Sequence, residues 1–220
     1  MVNVIINPDI LLALLNTSRM NIEQIEECNQ ETDMSDPKER LIPQVLVKNI
    51  FENCRSALDY VAQLMIERYK LNQKKQFFPI CFKEKEFEKQ PLIKYLSHNN
   101  QELYKFLKKI QPFSQDPDYL WLLTFQNYNN NYKHNGFIPL TTSFCFSDGS
   151  IITLSANAGL QNFTLNITNA DKPYVKSVNL SKNRKLPVIL KFEDQIEVVP
   201  FLLKMTDGIY HIIATILQIG

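Results

Sequence analysis

Two stretches of this 220-residue chain place reactive side chains at helical spacing. In Arg55-Ser56-Ala57-Leu58-Asp59-Tyr60, the charged residues Arg55 and Asp59 stand four apart, so a helix puts them on one face within ion-pair reach. In Asn129-Asn130-Asn131-Tyr132-Lys133-His134, the residues Asn130, Lys133 and His134 are three and four apart and share a face in the same way. A histidine that titrates near neutrality can act as general acid and base, and a nearby cation can stabilise charge that develops on a reacting oxygen. The plainer reading of Arg55 and Asp59 is a structural ion pair. Lys133 and His134, near a helix C-terminus, also suit its unpaired carbonyls and the negative end of the macrodipole. Asn129 to Asn131 tolerate the turn geometry that unwinds a helix ahead of Gly136.

Other site types are absent from the sequence. It contains no G-x-S-x-G elbow, no phosphate-binding G-x-x-x-x-G-K-[ST] loop, no G-x-G-x-x-G fingerprint and no H-E-x-x-H pair. Cys28, Cys54, Cys81 and Cys145 are widely spaced, with no C-x-x-C pair and no histidine at metal-finger spacing, so neither a metal nor a cofactor is expected. They read as buried thiols in a reducing compartment, and cytoplasmic localisation follows. Lys+Arg 24 against Asp+Glu 23 leaves a formal charge of +1, which gives no global field towards nucleic acid or membrane. Phosphate contacts would have to come from local groups such as Lys105, Lys108 and Lys109, or Lys182, Arg184 and Lys185. No stretch reaches the roughly 20 apolar residues of a membrane span.

The elements that position these residues follow from periodicity. Asn7-Pro8 marks a helix start, and Leu11, Leu14, Leu15, Ile22 and Ile25 continue an amphipathic helix with a weak point near Asn16 and Ser18. Val47, Ile50, Phe51, Cys54, Leu58, Val61, Ala62, Met65 and Ile66 predict a long helix over 43–69 with a broad apolar face. Phe77-Phe78-Pro79-Ile80 is extended, because Pro79 blocks helix. Residues 84–110 predict two short helices parted near Ser97 and Asn100; Gln111-Pro112-Phe113 closes them, and a further helix starts near Asp116-Pro117. From Phe137 the period changes to two. Strands are expected over 141–146, 150–156, 162–168, 174–180, 187–192 and 196–199, with Asp148-Gly149 as a hairpin turn. Residues 201–218 predict a closing helix, weakened by Gly208.

The fold class is therefore α+β: a helical bundle over 1–136, an antiparallel β region over 137–199, and a C-terminal helix over 200–220 that packs back on the bundle.

The order Arg55-Ser56-Ala57-Leu58-Asp59-Tyr60, Phe78-Pro79-Ile80, Ile110-Gln111-Pro112-Phe113, Leu120-Trp121-Leu122-Leu123 and Asn130-x-x-Lys133-His134 resembles a widespread bacterial family of unknown activity. That family carries R-S-A-L-D-[HY], F-P-I, Q-P-[YF] and N-x-x-K-H motifs; the resemblance spans about residues 45–140. A more distant likeness is to HEPN domains, helical bundles that often act as metal-independent ribonucleases through an Arg followed four to six residues later by His. Here Asn129 stands where that Arg would be and His134 where the His would be. The likeness implies His134 as acid/base towards a 2′-hydroxyl, with Arg55, Asp59, Asn130 and Lys133 around it, RNA as partner and a homodimer that pairs two half-sites. The competing expectation is a non-catalytic binding or interaction module with an RNA or protein partner, in which the same side chains are buried and hydrogen-bonded to one another. A ribonuclease or toxin-like defence factor is the alternative.

Overall fold

The computed structural model describes residues 8–31, 37–72, 77–135, 140–145, 151–156, 163–168 and 188–220, with side chains over 9–28, 41–72, 77–133, 140–141 and 189–220. Among the described residues seven helices and four strands run in chain order: α1 (Pro8–Glu31), α2 (Pro37–Arg68), α3 (Glu84–Glu88), α4 (Pro91–Asn99), α5 (Gln101–Lys109), α6 (Trp121–Asn135), β1 (Leu140–Cys145), β2 (Ile151–Ala156), β3 (Phe163–Thr168), β4 (Val188–Phe192) and α7 (Val198–Ile219). A 3₁₀ turn, Pro112–Ser114, follows α5. The architecture is α+β and mostly helical, with an antiparallel sheet and a final helix. Among the described residues no helix is long and apolar enough to cross a membrane.

Proline opens α1, α2 and α4, as suits a position whose N–H has no intrahelical partner. Pro37 takes this role in α2, so the helix starts six residues before the expected Pro43, which lies inside it. The weak point in α1 does not break the helix. Leu11, Leu15, Ser18, Ile22 and Ile25 form one buried stripe, and the Ser18 hydroxyl donates to the Leu14 carbonyl at 3.0 Å. Between 84 and 110 three helices stand where two are expected, because Pro91 starts a new one after α3. The break at Asn100 is a cap: its side chain accepts from the Leu103 N–H at 3.1 Å. Residues 117–120 are turn, and α6 begins at Trp121 rather than at Asp116-Pro117.

The chain divides into two compact units. The first comprises Met1–Met20, Asn49–Asn130 and Leu203–Gly220. Its core is centred on α2, where Phe51, Cys54, Ala57, Leu58, Val61 and Ala62 are all fully buried. Phe51 stacks on Phe125 of α6 with centroids 5.7 Å apart, and meets Tyr128 edge-on at 5.8 Å. Cys54 lies 3.9 Å from both the Ser18 hydroxyl of α1 and the Thr206 hydroxyl of α7. Gly208 of α7 has a packing reason that outweighs its low helix propensity. A Cβ at that position would stand 2.4 Å from the Trp121 ring, so only glycine lets the indole lie against the helix.

The second unit comprises Asn21–Lys48 and Asn131–Leu202 and contains the sheet. Strand order is β3-β2-β1-β4, every pair antiparallel, which is the order of a Greek key: three consecutive strands and a fourth that returns beside the first. Thr141 faces Ser155 on one side and Lys191 on the other. Phe192 of β4 packs edge-on against Phe201 of α7 at 5.9 Å. The strand expected over 196–199 is not formed. Gln195 adopts a left-handed φ of 68° and reverses the chain, Glu197 makes a single bridge to Lys191, and α7 starts at Val198, with Pro200 in its first turn. The expected strand over 174–180 and the Asp148-Gly149 turn lie outside the described residues.

Candidate functional site

Residues 77–81 belong to no helix and no strand, yet Phe78, Pro79 and Cys81 among them are buried. Buried backbone groups need hydrogen-bond partners, and in a sheet a neighbouring strand supplies them. Here side chains do so instead. Asp59 accepts from the Phe78 N–H at 2.8 Å, and Arg55 Nη2 donates to the Phe78 carbonyl at 3.1 Å. Two groups of one residue are thus held by the two ends of one ion pair. Further along, Gln111 Oε1 accepts from the Cys81 N–H at 2.9 Å, while its Nε2 donates to the Pro79 carbonyl at 3.1 Å. Pro79 has no N–H, so none is left there to satisfy.

The spacing along α2 makes this clasp possible. Arg55 and Asp59, one helical turn apart, form a two-pronged pair: Nη2 lies 2.8 Å from Oδ1 and Nε lies 3.1 Å from Oδ2. Their side chains are 11% and 24% exposed, so both charges sit largely out of water and each needs the other. The guanidinium also lies 5.9 Å from the centroid of the Phe77 ring.

Arg55 orients a further chain of bonds. A guanidinium can only donate, so Gln126 must present its carbonyl oxygen, which Nη1 reaches at 3.3 Å. Gln126 then turns its amide nitrogen to Asn130 and donates to Oδ1 at 3.3 Å. The charge on α2 therefore fixes the amide orientation of two residues on α6.

Of the five residues expected at a site, Arg55, Asp59 and Asn130 belong to one hydrogen-bonded set, with Gln126 as the link. Lys133 is exposed on α6. His134 lies in the last turn of α6, and its side chain falls outside the described residues. Asn129, at the position of the HEPN arginine, is 2% exposed. Gln126 and Gln111 carry no charge and were legible only as polar residues among apolar ones. For Gln111 the available signal was the turn Gln111-Pro112-Phe113, whose glutamine is 1% exposed.

Neither described buried thiol adds a nucleophile. Burial pushes Cys54 up to about 11, against the opposing hydrogen bonds of Ser18 and Thr206. Cys81 is also pushed up to about 11, by burial and then by the charge of Glu86. Both are thiols at neutral pH. Among the described residues no group of three or more His, Cys, Asp or Glu side chains could hold a metal ion. Lys108 pairs with Glu84 at 2.5 Å and Glu88 at 3.5 Å, and Lys109 with Asp116 at 3.6 Å, so carboxylates already face two of the lysines considered for phosphate contact. Lys105 is exposed, and Lys182, Arg184 and Lys185 lie outside the described residues. The sequence matches no family model, no curated protein and no solved structure.

Proposed function

We propose that this chain is a non-catalytic binding or interaction protein with a HEPN-like helical domain, and that RNA or a protein is its partner. One observation carries the reading: Arg55 and Asp59 are turned on each other and on the backbone of Phe78, all within 3.1 Å. A catalytic arginine has to keep donors for charge that develops on a substrate. Here four of the five guanidinium N–H groups are directed at Asp59, Gln126 and the Phe78 carbonyl, and both carboxylate oxygens accept within the protein. Asn129 in place of the HEPN arginine supports the same reading, since an amide brings no charge to a phosphate.

The test is incubation of mixed cellular RNA with the wild type and with His134→Ala, in EDTA, alongside anisotropy of a labelled RNA oligonucleotide. The expected result is no cleavage by either protein. RNA binding without turnover would then identify RNA as the partner class, and no binding would turn the search to protein partners. Cleavage by the wild type that disappears in His134→Ala, at unchanged melting temperature, would overturn the proposal in favour of a metal-independent HEPN-like ribonuclease, as expected of a defence factor.

A further inference from the structure

We draw no further inference here: the strongest candidate, the stripe of half-exposed Leu203, Tyr210 and Leu217 at seven-residue spacing along α7, is an unpartnered apolar helix face, and nothing in the structure shows what covers it.

Discussion

Removing the clasp from each end, and then from both, separates a backbone-holding role from ordinary ion pairing. Asp59→Leu deprives the Phe78 N–H of its acceptor and leaves a guanidinium that is 11% exposed without its counter-charge. Breaking a buried pair by removing one partner costs about 3–5 kcal/mol. The 24% exposure of Asp59 puts this case near the lower end, at about 3 kcal/mol. Arg55→Leu strands the carboxylate and the Phe78 carbonyl, with a similar cost of about 3 kcal/mol. The decisive variant is Arg55→Leu with Asp59→Leu. Where two charges serve only each other, apolar replacement of both is often neutral or stabilising. Here the double variant still leaves the N–H and C=O of Phe78, which is 1% exposed, without partners. Each such group costs about 1–3 kcal/mol, so the double variant should remain about 3 kcal/mol less stable than wild type. The two single losses sum to about 6 kcal/mol, so the coupling energy is about 3 kcal/mol. Urea unfolding followed by the emission of Trp121, the one tryptophan of the chain and 5% exposed, measures all four proteins. A double variant as stable as wild type would refute the backbone-holding role. Single losses below about 0.5 kcal/mol, a value typical of an exposed helix pair, would refute the burial argument itself.

Three further outcomes follow from the same packing. Gln111→Leu should cost about 2 kcal/mol by orphaning the Cys81 N–H and the Pro79 carbonyl, and should speed hydrogen exchange at the Cys81 amide; unchanged exchange there would contradict the assigned bond. Gly208→Ala gains about 1 kcal/mol in helix propensity but drives a methyl into the Trp121 ring, at an overpacking cost of about 1–3 kcal/mol; a net loss in melting temperature with altered Trp121 emission is expected, and a gain would show that the ring moves freely. The folded-state values of Cys54 and Cys81 lie above the ordinary 9.0, so the folded state holds protons that the unfolded state releases. Their contribution is complete below pH 9 and declines as pH rises towards about 11; Cys54→Ala should flatten part of that decline in urea titrations at pH 8, 9, 10 and 11.

The elements were more legible than the site. The three-and-four rhythm of α2 and the two-residue rhythm of β1, β2, β3 and β4 are written locally, and each element forms close to its expected place. Boundary errors have local causes too: two prolines compete to open α2, and Pro91 divides a stretch that reads as one helix. At residues 196–199, a short apolar run suits a strand and the start of a helix equally, and the left-handed Gln195 decides between them. The pairing of Arg55 with Asp59 is legible for the same reason, since one helical turn separates them. Their hold on Phe78 is not, because it joins residues 19 and 23 positions apart through a segment with no periodic signal. Gln126 escapes notice because a glutamine on a helix face normally signals solvent. Only the geometry shows that Arg55 needs an acceptor there, 71 positions away.

The manner in which residues 77–81 are held bears on how much variation the chain can tolerate. In a sheet, the bonds between strands join main chain to main chain, so residues on either strand can drift while the bonding persists. Around Phe78 and Cys81 the bonding partners are instead encoded by residue type, and neither lysine for Arg55 nor glutamate for Asp59 reproduces the same reach and fork. This short stretch therefore makes three distant positions, Arg55, Asp59 and Gln111, mutational dead ends, although the segment itself contributes only main-chain groups to those bonds.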